Sequence, residues 1–163
     1  MTVLPFIFSL IFLCGCLFAM YSDFTRFEIP NTLCIVVAVG YLPFAISSGV
    51  PLVDLGTHYL VGLMALAIGF LLFLVRFLGG GDSKFIAAVI LWFDTGDILP
   101  FLFYTTVFGG LLAILLIVFR LLPLPKRMLE RPSIAKLHNK NSGIPYALAI
   151  GAAGLISYPQ IMP

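Results

Sequence analysis

The sequence predicts an all-α, polytopic integral membrane protein of six transmembrane helices, the fourth short, with both termini outside the cytoplasm. Three observations carry this reading. First, 61% of the 163 residues are hydrophobic and 10% are charged, whereas a soluble domain is about a quarter charged. Second, apolar runs recur along the whole chain and leave no room for a separate soluble domain, so residues 1–163 read as one membrane-embedded domain. Third, every Lys and Arg falls in alternate connections between the runs. The net charge of +2 adds little, because in a membrane protein the placement of charge outweighs its sum.

A spanning helix needs ~20 apolar residues, and the runs are taken in order against that length. Residues 3–21 are uncharged. They lack the basic start and small-x-small cleavage site of a secretory signal. The stretch "LCGC" before Cys16 has a faint likeness to a lipoprotein processing site, but a retained first helix is expected. Residues 32–48 and 59–78 supply the second and third spans. The fourth, 83–93, is too short: nine apolar residues rise only ~13 Å as a helix. It starts inside the bilayer from a dipping loop or is re-entrant, which is tolerated only against protein or water. Residues 98–122 and 144–161 complete the set.

The basic residues orient these spans. Arg26 lies in the first connection, Arg76 and Lys84 flank the third, and Arg120, Lys126, Arg127, Arg131, Lys136 and Lys140 fill the fifth. The second connection, "SGVPLVDLGTH", and the fourth, "DTGD", carry acids and no Lys or Arg. The positive-inside rule therefore puts connections one, three and five in the cytoplasm. The long fifth connection is broken by Pro123, Pro125 and Pro132. It reads first as a segment drawn to anionic head groups and second as a docking surface for a cytoplasmic partner. Cys14, Cys16 and Cys34 lack C-x-x-C spacing and the only histidines are His58 and His138, so a zinc site is not expected and buried, inert thiols are.

Two acids stand at the cytoplasmic ends of spans: Asp23, in "YSDFTRFEIPN", and Asp82, in "RFLGGGDSK". Each has a plain structural reading. Asp82 could cap the fourth helix and Asp23 could pair with Arg26. The triple glycine 79–81 argues for more, because residues without side chains let a backbone or substrate approach Asp82 closely. Two aspartates brought together share one proton, since two close anions cannot both ionise. One then takes a proton from water while the other gives one to a carbonyl oxygen, which is the chemistry of an aspartic protease. Asp82 is expected to be the more acidic, because it opens a helix whose dipole favours an anion, while Asp23 follows one. No cofactor is needed, and a metal would want more oxygen ligands.

These residues resemble a family. "GGGDSK" is similar to the G-x-G-D-x-K motif of the type IV prepilin peptidases, which are G-x-G-D membrane aspartyl proteases. Asp23 to Asn31, D-x-x-R-x-x-IPN, is similar to that family's first-aspartate motif, and "GIPYALAIGA" to the entrance of its last helix. The resemblance implies catalytic roles for Asp23 and Asp82, with Gly79, Gly81, Lys84, Arg26, Ile29, Pro30 and Asn31 supporting them. It implies a prepilin substrate, cut between a short basic leader and an apolar helix at the bacterial inner membrane. The lipid bilayer and other pilus-assembly proteins are the further partners it implies, with no nucleic acid. Longer members carry a cysteine-rich region and N-methylate the new terminus. This chain has neither C-x-x-C pairs nor that length, so it is similar to the short Tad/Flp-pilus subgroup (CpaA/TadV-like), and methyltransferase activity is not expected.

Other features have duller readings. Ala147, Gly151 and Gly154, like Ala65 and Gly69, have the spacing of small residues at helix contacts. Lys84 follows Asp82 by two residues and points away from it on a helix, as an interfacial anchor or a hold on substrate or loop. The rivals to a prepilin peptidase are a presenilin-like protease, which needs more helices, a small transporter, and a non-catalytic pilus-assembly subunit. A transporter would place acids deep in the spans rather than at their ends.

Overall fold

The computed structural model describes residues 3–140 and 142–161, without the side chain of Lys126. Residues 1, 2, 141, 162 and 163, and with them the expected outside position of both termini, lie outside the described residues. The chain is helical, with no strand among the described residues. Its helices are α1 (Val3–Arg26), α2 (Asn31–Ser47), α3 (Leu52–Leu74), α4 (Gly80–Ile90), α5 (Ile98–Leu121), α6 (Lys126–Leu129), α7 (Pro132–His138) and α8 (Ala147–Ile161).

Three of them, α1, α3 and α5, are long and apolar enough to cross a membrane, while α2 and α8 are shorter apolar helices. Large apolar side chains crowd the outer surface, with Leu52 81%, Phe77 79% and Leu99 74% exposed. A soluble monomer rarely exposes so much contiguous apolar surface, and a lipid-facing one must.

Several boundaries move from their expected places. α1 runs on to Arg26 rather than stopping at residue 21, so Asp23 lies inside its last turns. α3 begins at Leu52, behind Pro51 at its N-cap and with Asp54 in its first turn. Most of the expected second connection is therefore helix, because Pro fixes a helical φ at such starts and an acid there complements the dipole. The fifth connection contains the short helices α6 and α7.

Helix α4 has 11 residues, about 16 Å of rise, and is too short to cross. It lies at the centre of the bundle, packed by α3, α2 and α8. Phe85, Val89 and Ile90 are buried. The irregular segment after it is buried too, with Leu91, Trp92 and Phe93 at most 4% exposed. Trp92 Nε1 donates to the Val37 carbonyl at 3.1 Å. Its ring joins a cluster with Phe12 and Tyr41, at centroid distances of 5.4 and 5.7 Å. Non-helical backbone at this depth is tolerable because protein surrounds it.

Small residues make the helix contacts close, as the spacing predicts. Gly151 and Gly154 of α8 lie against Met20, Cys16 and Phe12 of α1, and Gly69 of α3 lies against Ser83 of α4. Of the cysteines, Cys16 and Cys34 are buried but Cys14 is exposed, because it faces away from the stripe that α1 buries.

Candidate active site

Asp23 belongs to the buried face of α1. Phe12, Cys16, Ala19 and Asp23 recur at spacings of four, three and four, and none is more than 6% exposed. One helical stripe therefore carries three apolar residues and then a carboxylate into the interior. Asp23 Oδ2 accepts the Ala147 backbone N–H at 2.8 Å. Ala147 opens α8, where N–H groups have no intrahelical partner and the helix dipole favours an anion. The stretch "GIPYALAIGA" thus presents a helix N-terminus to Asp23.

The turn after Asp23 is fixed from several sides. Phe27 ends α1 with φ 58°, a left-handed conformation unusual for an aromatic residue. Lys136 Nζ lies 4.6 Å from the Phe27 ring centroid and donates to the Arg26 carbonyl at 3.1 Å. Ser133 Oγ donates to the Thr25 carbonyl at 3.1 Å. Helix α7, from the basic connection, therefore satisfies carbonyls that the end of α1 leaves without partners.

Asp82 occupies the third position of α4, not the N-cap. Gly79 is the N-cap, with φ −68° and ψ 145°, and its N–H bonds back to the Asp82 carboxylate. This is one half of a capping box, the carboxylate reaching back to the N-cap amide. A side chain at Gly79 would overlap Asp82 Oδ2, whereas one at Gly81 would meet Ile29 only at ordinary contact distance. Close approach thus explains Gly79 but not the other two glycines of the run. Ser83 Oγ donates to the Gly69 carbonyl at 2.9 Å and fastens this start to α3.

The two carboxylates line one cavity of about 380 Å³, together with Glu28, Ile29, Asn31 and the glycines 79–81. Burial, and next the negative charge of Asp23, push the Asp82 carboxyl up from 3.8 to about 7, against the opposing pull of the Gly79 N–H. Burial thus opposes the helix dipole that was expected to make Asp82 acidic. Its own helix does favour an anion, but Asp23 faces the start of a second helix, α8, and takes a backbone N–H from it. Sequence reasoning weighed each acid against its own helix alone.

The supporting residues divide. Lys84 points away from Asp82 as expected, and its Nζ donates to Asn31 Oδ1 at 2.9 Å, tying the second motif to the first. Pro30 is the N-cap of α2, and its carbonyl accepts the Leu33 N–H at 3.0 Å. Arg26 is exposed and forms no ion pair with Asp23; among the described residues the one ion pair is His58–Asp94. Missed altogether were the Ala147 N–H and the α7 contacts of Ser133 and Lys136. Pro145 just ahead of an apolar run was the available signal for the first, since Pro marks helix starts. Among the described residues, no group of three or more His, Cys, Asp and Glu is placed to hold a metal ion.

A cavity with one carboxylate on a helix N-terminus and another whose burial favours its protonated form can give and accept a proton at once. The sequence profile of the type IV leader peptidase family matches residues 10–114. That segment holds both aspartates and both motifs but ends before α7 and α8. No curated protein matches the chain, and no solved structure does.

Proposed function

The chain belongs to the type IV leader peptidase family and is a peptidase, and from that premise we propose that it removes the short basic leader of prepilins, of the Flp type, with Asp23 and Asp82 as its catalytic pair. The observation that carries this reading is the shared cavity, in which two carboxylates meet unlike surroundings.

In the proposed reaction Asp23 is ionised and Asp82 protonated. Asp23 takes a proton from a water molecule as the water oxygen attacks the scissile carbonyl carbon. Asp82 gives its proton to the carbonyl oxygen, and a tetrahedral gem-diol forms. Asp23 then passes the proton it took to the leaving nitrogen. The C–N bond breaks, and Asp82 recovers its proton as the new carboxyl group forms. The Ala147 N–H holds one oxygen of Asp23 throughout, which fixes the orientation of the base.

The site is assigned to the cytoplasmic face of the bacterial inner membrane, in a six-helix topology with α4 as the short fourth member. The ends of α1, α3 and α5 and the starts of α2, α4 and α8 gather around the cavity and the basic connections, which supports that orientation. Lys84–Asn31 and Lys136–Arg26 contacts lie at this end. His58 contacts Asp94 and the Leu91 carbonyl at the other. A basic leader in the cytoplasm and an apolar helix in lipid bring the scissile bond to this depth.

The test is cleavage of a Flp-type prepilin by purified enzyme in liposomes. Asp23→Asn and Asp82→Asn should each abolish cleavage, at least 1,000-fold on the order expected of an acid–base group. Glu28→Gln, at the exposed rim, should retain most activity. Near wild-type rates from either Asn variant would sink the dyad.

A further inference from the structure

Beside the acidic cavity lies a larger trough of about 640 Å³, walled by α2, α3 and α4. α2 and α3 each contribute residues at i, i+3, i+4 and i+7, starting at Asn31 and Tyr59, and α4 contributes Lys84, Ala87 and Ala88 with Leu91 just past its end. That spacing puts the residues from each helix on one face. Three helices thus turn a face into one space, α2 and α3 for about 10 Å of rise each. α2 and α3 both pack on α4. The floor stays low because Ala87, Ala88 and Gly62 are small. Asn31–Lys84 ties the walls at the cavity end, and the Tyr59 hydroxyl donates to the Ala38 carbonyl at the other.

We propose that this trough receives the apolar helix that follows the scissile bond, with the basic leader in the acidic cavity; the inference rests on the peptidase reading above. Continuity supports it. Asn31 lines both spaces, so a chain leaving Asp23 and Asp82 runs directly into the trough. Charge supports it too. The cavity lining includes Asp23, Glu28 and Asp82 and no Lys or Arg, complementing a basic leader, whereas the trough is apolar between its ends. An amphipathic or apolar helix laid in such a groove engages it through side chains at i, i+3, i+4 and i+7, the spacing already present on the walls. Large apolar side chains on that face would fill the space over the small floor residues.

Photocrosslinking tests this in the full-length Asp82→Asn protein, which should hold its substrate uncut, reconstituted in bilayers. A photoreactive phenylalanine replaces Leu63 or Leu66 on the α3 wall, or Ile117 on the exposed outer face of α5 as control. The probe is a chain with a short basic leader joined to about 20 apolar residues. The trough positions should crosslink to the first two or three turns after the scissile bond, at least tenfold above the control. Equal labelling from the control, adducts with lipid alone, or adducts with a second copy of the enzyme would overturn the trough. Cleavage of the same probe by the wild-type protein separates the two readings. No cleavage removes the peptidase reading and the trough with it; cleavage without trough adducts removes the trough alone.

Discussion

If Asp82 must carry a proton, cleavage should fail as pH rises through neutrality. Its carboxyl is raised from 3.8 to about 7 by burial and by the charge of Asp23. The sign follows from the penalty falling on the ionised form: below 7 the acid is mostly protonated and competent, and above 7 it is not. Occupancy should be about nine-tenths at pH 6, one-tenth at pH 8 and one-hundredth at pH 9, tenfold per unit. The assay is single-turnover cleavage of a prepilin in liposomes between pH 5.5 and 9, quenched and resolved by gel mobility. The logarithm of the rate should bend near 7 and fall with slope −1, the signature of one essential proton held by the pair. Carbon-13 spectra of labelled Asp in the Asp23→Asn variant supply a second measure. With the neighbouring charge gone, Asp82 should titrate below its wild-type position. A rate that is flat to pH 9, or that climbs, would refute the assignment of the proton to Asp82.

Three other outcomes follow from the same geometry. Gly79→Ala should cost about 100-fold in kcat, because the added methyl overlaps the Asp82 carboxylate and a shift of about 1 Å carries that penalty; unchanged kcat in accumulated protein would count against it. Asn31→Ala and Lys84→Met should each slow cleavage, and the double variant should be no slower than the worse single one, a coupling of about 1 kcal/mol. Fully additive losses would deny the bridge a role. Reporter fusions after Lys136 should give cytoplasmic signals and fusions after Val50 external ones, from the segregation of Lys and Arg; the reverse would break the proposed orientation.

Much of this protein could be read from its residues one stretch at a time. Composition and apolar run length determined an all-helical, lipid-exposed chain, because solvent preference depends on each residue's own side chain. Gly79 ahead of Asp82 marked a close approach. Asp23 and Asp82 stood out because a carboxylate at the end of an apolar run needs a reason. What the sequence alone did not decide was which groups from distant segments meet. The N–H of Ala147 reaches Asp23 across 124 positions, and Lys136 reaches the carbonyl of Arg26 across 110. No local pattern encodes either contact. Nor did local reasoning see the second helix that Asp23 faces. A helix acts on whatever charge lies at its end, and only tertiary packing brings the start of α8 to Asp23. The same packing buries α4 at the centre, where its first turn sets Asp82 on the cavity that Asp23 also lines.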